Sequence, residues 1–252
     1  MVLLSILIFL VILGAGLLGL FAHTRLPDNV KDDSARSVVG QVAGIVSLLL
    51  ALVLGTLVGT SFAFFGTQKT ELETLSSHIL ALDQALAQYG PETKPARDRL
   101  KESVQGAYDT FWGGGDADPK LLSVSIPLAA GQATKAYLAS LKPETDIQKQ
   151  AVASANALAG QIQQGRVLMD LQVASHPVSP GLLIVLTIWA VILFFGMGLF
   201  VKSNGLVLTA MTFGALCVAF AIFLILELGL PYTGLFRVSG AALQVALETI
   251  DK

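Results

Sequence analysis

Few side chains in this sequence have the type and spacing that chemistry requires. Its three histidines, His23, His78 and His176, are scattered, with neither a His-x-x-x-His nor a His-Glu-x-x-His spacing to hold a metal ion. Cys217, the single cysteine, lies inside an apolar run, which excludes an intrachain disulfide and a thiolate metal cage. Ser61 stands in Gly59-Thr60-Ser61-Phe62-Ala63, midway along an apolar helix rather than on a strand-to-helix elbow, so nothing there activates it as a nucleophile. Gly113-Gly114-Gly115 lacks the lysine and hydroxyl residue of a phosphate loop and reads as a turn. No catalytic residue, cofactor site or metal site is expected, and the chain is not expected to be an enzyme.

What remains is the chemistry of a membrane helix. Gly40, Gly44, Ser47, Ala51, Gly55, Gly59, Ala63 and Gly66 recur at steps of three or four, placing small residues on one helical face. Two readings stand. In lipid such a face lets a neighbouring helix approach closely. Repeated around an axis, Gly55, Thr56, Gly59 and Thr60, with Ser61, could instead wall a narrow conduit closed by Phe62, Phe64 and Phe65. A second feature is Glu227, a carboxylate at the edge of an apolar run. An ionised carboxylate in hydrocarbon is costly, so it is expected to face protein or headgroups. Pro231 and Gly234 turn the chain back, making Arg237 its natural partner in an ion pair or interfacial elbow.

The elements that must position these groups follow from composition. The 252 residues are 54% hydrophobic and 13% charged, with a mean hydropathy of +0.70, which excludes an ordinary water-soluble chain. A net charge of -2 without a basic run argues against nucleic acid as a partner. Most charged residues fall between Gly66 and Pro180. Outside that window, Val2 to Ala22, Val38 to Phe65, Gly181 to Val201 and Gly205 to Leu226 each meet the roughly 20 residues needed to cross a bilayer as a helix. The expected fold is an all-α polytopic membrane protein: spans 1 and 2 in residues 1–65, a helical extramembrane domain in 66–180, spans 3 and 4 in 181–230, and an interfacial tail in 231–252. The first span lacks the basic start and small-x-small end of a cleaved signal and reads as a retained anchor. Arg25, Lys31, Arg36 and Lys202 flank the short loops, against Lys69 and Arg237 on the other side, which places the insert outside the cytoplasm.

Within the insert, Leu72, Leu75, Ile79, Leu82, Leu86 and Tyr89 form a heptad seam. No proline intervenes between Pro27 and Pro91, so span and seam can be one helix from Val38 to Tyr89, about 78 Å long. The seam suits either a bundle within the chain or a stalk pairing between protomers. Gly90-Pro91 ends it, and Pro95 opens a second helix carrying Leu100, Val104, Ala107 and Phe111. Gly113 to Asp116 breaks the chain, a short helix follows around Ala129 to Leu141, and Ser123 to Pro127 is too short to add a strand. A long helix from Glu144 carries Ile147, Ala151, Leu158, Ile162 and Met169 until His176-Pro177 interrupts it. Ser239 to Ile250 reads as a short helix lying on the surface or on the insert.

His176-Pro177-Val178-Ser179-Pro180, Trp189, the Phe194 to Phe200 stretch, Asn204 and above all Phe223 to Ser239 resemble the C-terminal half of a bacterial membrane family described as bestrophin-like, whose function is not settled. The resemblance is specific over about residues 175–250. Its label implies a relation to bestrophins, which are homo-oligomeric anion channels lined by the second span. On that resemblance the partners would be the lipid bilayer, further copies of the chain and small anions, in the bacterial inner membrane. The Phe62 to Phe65 cluster would be the constriction, although bestrophin necks repeat at one helical turn and these phenylalanines do not, and no acidic calcium clasp is visible. The other reading is a membrane-anchored helical sensing or interaction module that conducts nothing.

Overall fold

The computed structural model describes residues 1–25, 33–113, 128–175 and 178–250. Readings that concern Lys31, Gly114 to Asp116, Ser123 to Pro127 and His176-Pro177 lie outside them. Among the described residues the chain is all-α and has no strand. Its helices are α1 (Val2–Arg25), α2 (Asp33–Tyr89), a 3-10 turn (Pro91–Thr93), α3 (Lys94–Trp112), α4 (Leu128–Ser140), α5 (Asp146–Ala174), α6 (Pro180–Leu199), α7 (Gly205–Leu228) and α8 (Ala241–Thr249). Span and heptad seam are indeed one helix, α2, of 57 residues. Among the described residues four helices, α1, α2, α6 and α7, are long and apolar enough to cross a membrane. The chain divides into two compact units, Met1–Phe64 with Pro177–Gly229, and Phe65–His176 with Leu230–Lys252.

In the first unit Ile8, Ile12, Leu50, Leu54, Leu186, Leu193, Phe194, Met211 and Ile222 form the core. Outward-facing leucines, isoleucines, valines and phenylalanines on the same helices are exposed, as lipid-facing side chains must be. The closest approach joins α1 to α6. A Cβ on Gly19 would overlap the carbonyl oxygen of Phe195, and one on Gly198 would overlap that of Gly16, so these glycines set the interaxial distance. His23 Nδ1 lies 2.8 Å from the Leu199 carbonyl oxygen at the end of that contact. Pro180 starts α6, where a missing N–H costs nothing, and the Asn204 side chain accepts from Val207 N–H (2.8 Å) to cap α7. The third span ends at Leu199, two residues short of the expected Val201.

In the second unit the heptad seam is buried within the chain itself. Leu72, Ile79, Leu82, Leu86 and Tyr89 are all inside, packed against α3, α5 and α8. The bundle reading of the seam therefore holds for the chain. Gly90, at φ 139°, makes the left-handed turn after α2, and the Thr93 hydroxyl donates to the Leu86 carbonyl, closing it. Thr145 and Gln148 form a reciprocal capping box at the start of α5. Along α5 one expectation is corrected: Ile147 is exposed, and Ala155, with Ala151, takes the buried row, because small side chains let α5 sit close beneath α2 and α4. Of the two placements expected for the tail helix, on the surface or on the insert, the second describes it: α8 buries Leu243, Ala246 and Leu247, with Ile250 just beyond its end, in this unit's core, and Trp112 Nε1 donates to the Val238 carbonyl (2.9 Å).

Asp83 and Arg97 tie α2 to α3 with two parallel bonds, Nε to Oδ1 at 2.7 Å and Nη2 to Oδ2 at 2.9 Å. The carboxylate is buried while the guanidinium keeps partial access to water. Removing the carboxylate leaves a half-buried cation without this bidentate partner. Asp83→Ala is expected to destabilise the unit by about 2 kcal/mol, below the full penalty for a wholly buried pair. Denaturant unfolding of the purified protein checks this, with Arg97→Met in the same background recovering part of the loss.

Candidate functional site

The residues expected to wall a conduit lie on the membrane half of α2. A helix of 3.6 residues per turn places Gly55 and Thr56 beside Gly59 and Thr60, one turn on, and all four are exposed. Among the described residues, nothing beyond the helix's own backbone lies within 4 Å of a Cβ built on Gly40, Gly44, Gly55, Gly59 or Gly66. The small-residue face of α2 is thus uncovered by any other described residue of the chain. The helix packs instead through Leu50 and Leu54, roughly a quarter turn away. The Thr56 hydroxyl donates to the Leu52 carbonyl (2.8 Å) and that of Thr60 to the Thr56 carbonyl (3.1 Å). Such back-bonded hydroxyls can rotate to donate outward.

The remaining expected groups separate. Ser61 is turned into the chain, fully buried, and its Oγ has no hydrogen-bond partner among the described residues, so it does not belong to the open face. Of the three phenylalanines only Phe62 is open, at 66% exposure; Phe64 and Phe65 are half-buried. Steps of 200° and 100° around the helix send the three rings in different directions. Any constriction built from this cluster falls to Phe62. Glu227, in the last turn of α7, is 3% exposed. Pro231 is buried and opens a loop closed by Val238 N–H donating to its carbonyl (2.8 Å). Gly234 takes φ 96° in that loop, and Arg237 is exposed, its Nε donating to the Gly234 carbonyl (3.1 Å).

One polar cluster escaped sequence reasoning. Gln68 is fully buried on α2; its Nε2 donates to Gln172 Oε1 (2.5 Å), and its Oε1 accepts from the Tyr232 hydroxyl (3.2 Å). The Tyr232 ring packs near Phe111 and Trp112, at centroid distances of 6.1 and 6.4 Å. Partners 104 and 164 residues away leave no local signal; a lone glutamine in the row continuing the Leu54 stripe was the only hint. Burial, then the charges of Asp170 and Glu71, push the Tyr232 phenol well above its ordinary value of 10.0. The folded state thus keeps a proton that the unfolded chain loses above pH 10, and stability must fall as pH rises beyond that point. Alkaline titration of tyrosinate absorbance is expected to show one of the four tyrosines ionising only with unfolding, and Tyr232→Phe to abolish that step.

Compared with known proteins, residues 9–243 match the Bestrophin-like domain, so the match extends well beyond residues 175–250 and takes in the first two spans and the insert. No curated protein and no solved structure matches the chain.

Proposed function

Because the chain belongs to the bestrophin-like family, we propose that it assembles as a homo-oligomer conducting small anions across a bacterial inner membrane, with the first half of α2 as the wall. The observation that carries this reading is the row of α2 glycines with nothing within 4 Å. In lipid, helices associate through packing rather than hydrophobic expulsion, and a long small-residue face left open by the described residues suits a neighbouring copy or an aqueous lumen. Thr56 and Thr60 supply hydroxyl donors beside it, and Phe62 an apolar ring at one end. Glu227 anchors α7 through its buried carboxylate rather than carrying ions. The excess of Arg25, Lys31, Arg36 and Lys202 near the short loops puts the helical insert outside the cytoplasm. The reading includes no enzymatic step. Native mass spectrometry from lipid nanodiscs, paired with planar-bilayer recording in chloride, tests it: the expected result is a closed oligomer with anion current. A monodisperse monomer that stays silent in all salts would reject it.

One observation favours a second reading, a membrane-anchored sensing module. The extramembrane unit has its own buried core and a mainly apolar pocket of about 120 Å³ between its helices. Deleting the cavity's function without affecting current would separate the two readings.

A further inference from the structure

The exposed face of α5 changes character along its length. Toward its start it shows Ala153, Ser154, Ala157, Gln161 and Gln164, and in its last turns Val167, Leu168, Leu171 and Ala174. Steps of three and four put these last residues on one side of the helix. Leu168 is 43% exposed and Leu171 63%, left uncovered by the other described residues. A face that pairs along a partner helix repeats its apolar positions from end to end. This one is apolar only as α5 nears its final residue, Ala174.

The height of that change is read against α2. Gln68 bonds to Gln172, while farther out Leu82 shares a core cluster with Ala155, so the two helices run antiparallel. Gln68 lies three positions beyond Phe65, where the second span was expected to end, a rise of about 4.5 Å. Thr67, Lys69 and Thr70 beside it are exposed. On α5, Leu171 stands about 1.5 Å and Leu168 about 6 Å outward of Gln172. Exposed lysine and threonine on one helix and exposed leucine on its neighbour, at one level, suit neither hydrocarbon nor bulk water. They suit the headgroup layer, which adds about 5 to 7 Å to each side of the hydrocarbon.

A second element brings the same chemistry to that level. The Tyr232 hydroxyl donates to Gln68, and the loop beyond it turns at Gly234 and exposes Leu235 at 72% and Phe236 at 42%. Three residues of chain reach at most about 10 Å, which keeps Leu235 near Tyr232. Exposed apolar groups on two elements at a common height point to a planar partner rather than to a second helix.

We propose that the last turns of α5 and the Leu235-Phe236 tip rest in the headgroup layer of the membrane that the chain spans, so that a lipid surface covers them. The lipid contact of the apolar half of α2 is thereby continued by residues outside the spans. It is independent of conduction.

Power-saturation EPR on the full-length protein in phosphatidylcholine nanodiscs tests this. Each chain carries one nitroxide, at Leu168→Cys, Leu171→Cys or Leu235→Cys in a Cys217→Ser background. Ile192→Cys, on the lipid side of α6, marks hydrocarbon, and Ile147→Cys, exposed about 36 Å along α5 from Leu171, marks water. All five side chains are exposed, so the labels are expected to leave thermal unfolding unchanged. The ratio of oxygen to nickel-chelate accessibility is expected to be several-fold higher at 171 and 235 than at 147, and lower than at 192, with 168 between 171 and 147. An aqueous ratio at either 171 or 235 overturns the proposal. So does low accessibility to both reagents with spin-spin broadening that vanishes on dilution with unlabelled chain, because a second copy would then cover the patch.

Discussion

Gly198→Val is expected to dismantle the membrane unit while leaving its helices intact. The new Cβ would overlap the Gly16 carbonyl oxygen and press on Leu20 N and the Gly19 carbonyl carbon at 2.9 and 3.1 Å. All three are backbone atoms of α1, so no side chain can move aside and the two helices must part. Gly19→Val meets the reciprocal wall, the Phe195 carbonyl, with Leu199 N at 3.0 Å and Gly198 Cα at 3.1 Å. Between helices in lipid there is no hydrophobic driving force to hold a loosened pair, so lost packing is lost stability. Each variant should cost about 3 kcal/mol or more, at the upper end for overpacking. Thermal unfolding in detergent should show the transition lowered or lost, with far-UV helicity retained because each span keeps its own backbone bonds. Gly16 supplies the internal control. A Cβ there meets chiefly the Met211 methyl, the flexible end of a thioether, so Gly16→Ala should cost about 1 kcal/mol at most.

The paired change Gly55→Leu and Gly59→Leu should produce the opposite pattern. No described residue outside the helix's own backbone lies within 4 Å of either added Cβ, and leucine is a better helix former than glycine by somewhat under 1 kcal/mol per site. The stability of the isolated chain should hold or rise. Two leucines one turn apart on the proposed inter-copy face would hold neighbouring helices off and fill a lumen walled by glycine. Assembly should weaken, and anion current should fall at least tenfold. Size and current are measured on the same nanodisc preparation. Unchanged current from a folded double variant would remove α2 from the conduit wall.

The contrast between these two sets of glycines shows where sequence reasoning reached its limit. Four apolar runs of about 20 residues between charged flanks can only be spans, because hydrocarbon leaves a backbone no other solution. The α2 heptad and its Gly90 stop were equally readable, since period and turn chemistry are local. Which glycines touch another helix is not a local property. The long α2 row was the louder pattern, yet α2 packs within the chain through Leu50 and Leu54, and the intrachain crossing rests on Gly19 and Gly198. Likewise Ser61 shares its short segment with Thr60 but not its direction, so it is buried while Thr60 is open. The Gln68, Gln172 and Tyr232 cluster and the pocket at Arg166 arise from segments distant in sequence, so no local spacing marks them.

Cysteine accessibility within a conducting assembly tests the account most directly. With Cys217→Ser the chain has no other thiol, so Thr56→Cys and Thr60→Cys each present one reactive group on the open α2 face. Ile192→Cys, on the lipid side of α6, is the control. The account predicts chloride current in planar bilayers that a charged, membrane-impermeant thiol reagent blocks at positions 56 and 60 and leaves untouched at 192. Current that ignores the reagent at both α2 positions, or purified oligomer that carries none, would contradict it.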